Sequence, residues 1–104
     1  MAWFGSVSGA QVDEFARSLV RELAQHYPPP DEVSAKKVSQ KKILSVMEGL
    51  FTQARDFRKQ HKLGVYKKAR LANTFRWELK EKGYDVKFVE LATEGLLAGM
   101  TRKD

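Results

Sequence analysis

Two aromatic residues alternate with cations and an amide in the segment Tyr66–Lys80, at spacings that place them on one helix face. Steps of four, three, four and three residues align five side chains, here called the aromatic stripe: Tyr66, Arg70, Asn73, Trp77 and Lys80, with Lys67 at its border. Aromatic rings offer stacking surface to nucleic-acid bases, and arginine and lysine contact phosphates. The pattern predicts a surface for nucleic acid or another polyanion.

Two other interpretations of the aromatic stripe stay open. Tyr66 and Trp77 would pack into the protein interior if another helix, or Trp3 and Phe4, covered them. They would instead anchor a protein partner or a second copy if exposed, because aromatic residues and arginine dominate many interfaces. The amide of Asn73 beside the rings favours a wet or anionic contact over a dry one.

A second set of cations is predicted on one side of the preceding helix. We call it the basic stripe: Lys37, Lys41, Arg55, Lys59 and Lys62, interrupted by Glu48. A solvated face that keeps the protein soluble is the alternative interpretation. Together, the two stripes define the candidate partner-binding residues.

The charge along the chain is strongly uneven. Residues 34–82 hold 14 Lys/Arg against 4 Asp/Glu, whereas residues 1–33 hold 2 against 5 and residues 83–104 hold 3 against 4. The formal net charge of the whole chain is +6. A basic centre between mildly acidic ends favours an anionic partner.

The pattern of apolar residues predicts an all-α, bundle-like fold in a single domain spanning residues 1–104. No segment alternates as a strand would, and four helices are expected, near 9–26, 32–62, 65–82 and 86–98, followed by a loose tail. A chain of 104 residues is long enough to bury a core without disulfides or metals. Short links between the second, third and fourth helices favour packing of these neighbours against one another.

Capping residues mark the ends of the predicted helices. Ser8 with Gln11 forms a capping box, and three prolines from Pro28 end the first helix. The remaining ends carry typical signals: Asp31 as an N-cap, Gly64 as a stop, Gly83 in a left-handed cap and Asp85 as an N-cap.

Inner positions of the later helices predict how they pack. The third helix has a core face formed by Val65, Leu71, Ala72, Phe75 and Leu79. Gly95 lies inside the fourth helix, where glycine costs roughly 0.5–1 kcal/mol, so we expect another helix to approach it closely.

The third and fourth helices have the outline of a helix-turn-helix around Gly83. The inner positions Glu78 and Lys82 are usually apolar in that motif, and Glu90 and Glu94 would face phosphates. We therefore favour a simple helical corner without sequence-specific groove binding.

The residues give no pattern of an enzyme. There is no Ser-His-Asp order, phosphate-binding glycine loop or HExxH sequence, and neither His26 nor His61 has a second ligand at helical spacing. We expect no catalysis, cofactor, metal or small-molecule substrate.

The location of the protein is predicted from three further features. The chain has no cysteine, no apolar run of about 20 residues and no signal-like start. We expect no membrane association and a cytoplasmic, bacterial setting. The leading prediction is a small non-catalytic module that binds nucleic acid or another polyanion with little sequence preference. The alternative is a protein–protein adaptor or homodimer anchored by Tyr66 and Trp77.

Overall fold

The computed structural model of the chain describes residues 7–29 and 39–101. They form four helices and no strand, which confirms the predicted all-α, bundle-like fold. The helices are α1 (Gly9–His26), α2 (Gln40–His61), α3 (Val65–Lys82) and α4 (Val86–Thr101). None of these helices is both long and apolar enough to cross a bilayer.

The packing order of the helices differs from their order along the chain. α3 packs between α1 and α4, and α2 packs against α4 and α1, so α2 and α3 occupy a diagonal of the bundle. α1 and α3 run parallel, because Asp13 pairs with Arg70 and Arg17 pairs with Glu78 further along both helices. The expected packing of α3 against α4 is confirmed, whereas that of α2 against α3 is wrong. The reason is that the link at residues 62–64 crosses the diagonal at one end of the bundle.

Apolar side chains from all four helices meet in one core. Phe75 is the largest fully buried side chain, and the Phe15 and Phe57 rings stack at 4.0 Å where α1 meets α2. Burial of each large apolar side chain contributes roughly 1.5–3 kcal/mol to folding. The residues predicted to form the core face of α3 are buried, except for Val65. Val65 is 80% exposed because it lies in the first turn, beyond the neighbouring helices.

The start of α1 follows the predicted capping box. Ser8 Oγ accepts from the backbone N–H of Gln11 at 3.1 Å, and Gln11 Oε1 accepts from the backbone N–H of Ser8 at 2.9 Å. The helix ends at His26, before Tyr27, whose backbone is not helical, and Pro28. Proline disfavours helical backbone in the residue before it, which explains the stop.

α2 begins and ends differently from the prediction. It starts at Gln40 rather than near residue 32, because Ser39 is extended and its hydroxyl accepts from the Lys42 N–H at 3.1 Å. The predicted N-cap Asp31 lies outside the described residues. The stop is Lys62, in left-handed backbone with φ 52°, whereas Gly64 is the extended N-cap of α3.

The corner between α3 and α4 forms as predicted. Gly83 has φ 96°, and the Tyr84 N–H donates to the Leu79 carbonyl at 3.2 Å, the pattern of a Schellman turn. Asp85 caps α4, since its Oδ2 accepts from the Lys87 N–H at 3.0 Å. α4 continues to Thr101 instead of ending at residue 98, and residues 102–104 of the predicted tail lie outside the described part.

The close approach predicted at Gly95 is made by α2 of the same chain. A Cβ on Gly95 would lie 2.5 Å from Phe51 Cζ, so the ring occupies the space that a side chain would need. Gly99 also faces Phe51, since a Cβ built there would lie 3.5 Å from Phe51 Cβ and 3.6 Å from its carbonyl oxygen. The glycines of α4 thus form the slot that receives the Phe51 ring.

Candidate functional site

The aromatic stripe lies on the outer face of α3, with Arg70 at the edge that faces α1. Tyr66 is 72% exposed and Trp77 is 59% exposed, and Asn73 and Lys80 beside them are also exposed. Among residues 7–29 and 39–101 no helix covers this side of α3, so the interpretation of the two rings as core side chains under another helix is wrong. Trp3 and Phe4, the other proposed cover, lie outside the described residues. The rings are eleven residues apart, which is about 16 Å along the helix.

Arg70 of the stripe is held by α1 rather than pointing freely into solvent. Its Nε donates to Asp13 Oδ1 at 3.0 Å and its Nη2 donates to Oδ2 at 2.9 Å, a bidentate pair. Thr74 Oγ1 also donates to Asp13 Oδ1, at 2.9 Å. The main role of this guanidinium is therefore to link α3 to α1, and its role as a surface cation is secondary.

The Asp13–Arg70 pair shifts the acidity of both groups. Hydrogen bonds from Arg70 are the largest cause that lowers the pKa of Asp13 from 3.8 to about 2, and Thr74 adds to the effect. The hydrogen bonds with Asp13 in turn raise the pKa of Arg70. Both groups stay charged over the whole neutral range.

Lys67 forms a second hydrogen-bonded link between α3 and the start of α1. Its Nζ donates to the carbonyl oxygen of Val7, which is buried next to the capping box. Gly9 lies under the Arg70 guanidinium, since a Cβ there would lie 2.6 Å from Arg70 Cζ. Two cations predicted to contact a partner therefore also hold the first turn of α1 in place.

A shallow depression lies on the outer face between the stripe and α1. Small Ala69 forms part of its floor, and the lining is completed by Asp13, Tyr66, Arg70, Asn73 and Thr74. Ala69 is itself exposed. The depression is open and offers aromatic, amide and hydroxyl groups but no enclosed cavity.

The basic stripe of α2 is only partly exposed. Lys41, Lys59 and Lys62 are exposed, whereas Arg55 is half-buried along a groove between α2 and α4 that Phe51 and Gly95 also line. Lys37 lies outside the described residues. Lys41 and Lys59 are eighteen residues apart, about 27 Å along the helix, so the stripe is long and thin.

The two stripes do not merge into one surface. α2 and α3 lie diagonally across the bundle, and their outer faces point away from each other. The residues brought together on α3 are Tyr66, Asn73, Trp77 and Lys80, with Arg70 and Lys67 at the edge facing α1. A single ligand that spans both stripes would have to wrap around the bundle.

Several contacts around the site had no signal in the sequence. The Asp13 partner of Arg70 is 57 residues away along the chain, and the Arg76–Glu90 pair, with Nη2 and Oε2 2.8 Å apart, joins α3 to α4. Their spacing matches no local rule, because the pairing depends on which helices become neighbours.

Neither histidine stands in a ligand cluster. His26 and His61 end α1 and α2, where a cation is favourable. Among the residues that the structure describes, no three His, Cys, Asp or Glu side chains lie close enough to hold a metal ion.

The chain was also compared with known proteins. It matches no protein-family model, no curated protein and no solved structure.

Proposed function

We propose that the chain is a small non-catalytic module that binds nucleic acid or another polyanion with little sequence preference. The observation that carries the proposal is the exposure of Lys41, Lys62 and Lys80 on the two basic helices. None of the three forms an ion pair with a residue of 7–29 or 39–101. Their charges are therefore available to phosphates.

Phosphate contacts of this kind carry affinity but no sequence information. Each lysine that neutralises a phosphate releases a counterion, so binding weakens as salt rises. The exposed Glu94 of α4 and the pairing of Glu90 with Arg76 disfavour a groove-inserting role for α4. We therefore expect single strands and duplexes of different sequence to bind with similar affinity.

A titration of labelled single-stranded and duplex oligonucleotides at about 50 mM and about 200 mM salt tests the proposal. Lys41→Gln with Lys62→Gln should lower the slope of log affinity against log salt by about two phosphate contacts. Lys87→Gln, on the mildly acidic helix α4, is the matched control and should leave the slope close to that of the native chain. No binding of either oligonucleotide at the lower salt would rule out nucleic acid as the partner and favour the protein-contact function.

A second candidate function is a protein contact through Tyr66 and Trp77. Arg70 is hydrogen-bonded to Asp13, and Lys67 is hydrogen-bonded to the Val7 carbonyl oxygen. The aromatic stripe therefore offers fewer free cations to a partner than the sequence predicted, which favours a protein contact. Exposed tryptophan and tyrosine are typical anchors of protein interfaces.

The setting of the protein is part of the same proposal. A chain of 104 residues without cysteine is suited to a reducing compartment, and we place the module in the bacterial cytosol.

A further inference from the structure

The two most exposed large apolar side chains in the described part of the chain are neighbours at the corner between α2 and α3. Val65 is 80% exposed and Tyr66 is 72% exposed, and both lie in the first turn of α3. Single apolar residues are common on protein surfaces, but two adjacent ones at the end of a bundle form a small patch, here called the apolar tip. Removal of such a patch from water is favourable.

Three other helix ends lie at the same end of the bundle as the apolar tip. α2 ends there, α1 starts there because it runs parallel to α3, and α4 ends there because it turns back along α3 after the corner at Gly83. Residues 7–12 and 95–101 contain no charged residue, whereas residues 57–77 contain seven Lys/Arg and no Asp/Glu. Among the residues that the structure describes, this end therefore carries only positive charge.

Lys62 and Lys68 flank the apolar tip. Lys62 precedes Val65 by three residues, and Lys68 follows it by three residues, which is one turn along the same side of α3. Lys62 is exposed and Lys68 is half-buried, and neither forms an ion pair with another described residue. The first carboxylate along α1, Asp13, is already paired with Arg70. Two unpaired ammonium groups therefore lie beside two exposed apolar side chains.

We infer that the corner between α2 and α3 docks on the surface of an anionic lipid bilayer. The apolar tip enters the headgroup layer, and Lys62 and Lys68 contact lipid phosphates. Peripheral binding of this kind combines buried apolar area with electrostatic attraction to anionic lipids. Tyrosine is also favoured at the boundary between lipid and water. The inference goes beyond the proposed function, because it names a different partner and depends on Val65.

The sequence predicts no membrane association because it has no long apolar run, and none of the described helices could span a bilayer. Contact with a bilayer surface requires no such run. It requires exposed apolar side chains beside cations. The exposure of Val65 is evident only from the structure, since its spacing in the sequence assigns it to the core face of α3.

Val65 favours a bilayer over a nucleic acid as the partner of this corner. Its aliphatic side chain has no ring that could stack on a base, whereas transfer into a lipid layer removes it from water. The position of the tip agrees with this choice. A corner at the end of a bundle can meet a plane, whereas the exposed Trp77 lies about 18 Å further along α3 and would stay outside such a contact.

Co-sedimentation with lipid vesicles, in the absence of nucleic acid, tests the inference. The native chain should bind vesicles of phosphatidylcholine with about 30% phosphatidylglycerol and should not bind vesicles of phosphatidylcholine alone. Val65→Ser should weaken this binding by about tenfold or more, because it removes the apolar side chain that enters the lipid.

The matched control is Val86→Ser. Val86 is also an exposed valine, at 64%, and is the first residue of α4, but it lies at the opposite end of the bundle between Asp85 and Lys87. This variant should bind the anionic vesicles as the native chain does. Both valines are exposed, so thermal melts should show that both variants stay folded.

A fluorescent label tests whether the tip enters the lipid. The chain has no cysteine, so Val65→Cys and Val86→Cys each provide a single attachment point for a polarity-sensitive fluorophore. When the anionic vesicles are added, the emission of the label at position 65 should shift to shorter wavelength, and the emission of the label at position 86 should not.

Three results would overturn the inference. They are no binding of the native chain to anionic vesicles at about 50 mM salt, equal binding by Val65→Ser and the native chain, and a loss of oligonucleotide binding in Val65→Ser as large as its loss of vesicle binding. The second result would mean that charge alone holds the protein at the surface, and the third would assign the corner to nucleic acid. Failure of the proposed function would appear separately, as absence of salt-dependent oligonucleotide binding with vesicle binding intact.

Discussion

At the residue scale, Lys62 has an unusual conformation for its type. It ends α2 with φ 52°, a left-handed backbone that costs an L-residue roughly 1–2 kcal/mol relative to its preferred regions. The preceding helix still closes normally, because the Leu63 N–H donates to the Arg58 carbonyl at 3.0 Å. A glycine would adopt this conformation without strain.

We predict that Lys62→Gly raises the free energy of unfolding by about 0.4–1 kcal/mol, as measured by urea denaturation. Lys62→Ala is the matched control, since it removes the same charge but keeps the Cβ that is strained at positive φ. Equal effects of the two substitutions would show that charge, not backbone conformation, controls stability here.

The Asp13–Arg70 pair makes the free energy of unfolding depend on pH in the acidic range. The Asp13 pKa is lower in the folded chain, about 2, than its ordinary value of 3.8, so the folded state binds fewer protons in this range. The stabilisation is complete above about pH 4 and is lost as the pH falls towards 2. Because Arg70 is partly exposed, solvent screens the pair, and we expect it to contribute less than a buried ion pair would.

The prediction is checked by urea unfolding of the native chain and Asp13→Asn between pH 5 and pH 2. The native chain should be the more stable at pH 5, and the difference should shrink as the pH falls. A constant difference across that range would contradict the role of the carboxylate charge.

At the element scale, the contact of α2 with α4 depends on the absence of side chains on α4. Phe51 fills the space above Gly95, whereas a Cβ on Gly49 of α2 would meet nothing within 4 Å. Both glycines lie inside helices, where alanine is intrinsically favoured. The two positions therefore separate helix propensity from packing.

We predict opposite effects for the two alanine substitutions in urea denaturation. Gly49→Ala should stabilise the protein by about 0.5–1 kcal/mol through helix propensity alone. Gly95→Ala should destabilise it by about 1–3 kcal/mol, because the added methyl displaces the Phe51 ring. Stabilisation at both positions would mean that Phe51 moves aside at little cost.

At the scale of the whole molecule, the bundle separates its core from the surfaces available to partners. α3 illustrates this, since Phe75 is fully buried and Trp77, two residues later, is 59% exposed. We predict that Phe75→Ala costs about 3–5 kcal/mol of stability. Trp77→Ala should cost less than about 1 kcal/mol, as expected for an exposed position.

Thermal and urea melts of these two variants check the separation. If Trp77→Ala destabilises the fold as much as Phe75→Ala does, the ring is a core residue, and any loss of binding would merely reflect unfolding. If Trp77→Ala stays folded but weakens single-strand binding by about 1–3 kcal/mol with an unchanged salt slope, the ring stacks on bases.

Much of the fold could be predicted from the sequence, because helix formation depends on near neighbours. The capping box at Ser8, the proline stop after Tyr27 and the left-handed cap at Gly83 act over three or four residues, and all three are confirmed. The two errors at α2 have the same local nature. Serine and aspartate are equally good N-cap residues, and Ser39 rather than Asp31 caps α2. The left-handed residue that ends the helix is Lys62, two positions before the predicted Gly64.

The sequence by itself determined four helices and which face of α3 carries Tyr66, Asn73, Trp77 and Lys80, since periodicity follows from 3.6 residues per turn. Only the tertiary structure decided that this face is exposed, that Arg70 pairs with Asp13 and that α2 lies diagonally across from α3. These features depend on which helices become neighbours. Which helices become neighbours depends on the packing of side chains that are far apart in the sequence, so no local sequence pattern predicts it.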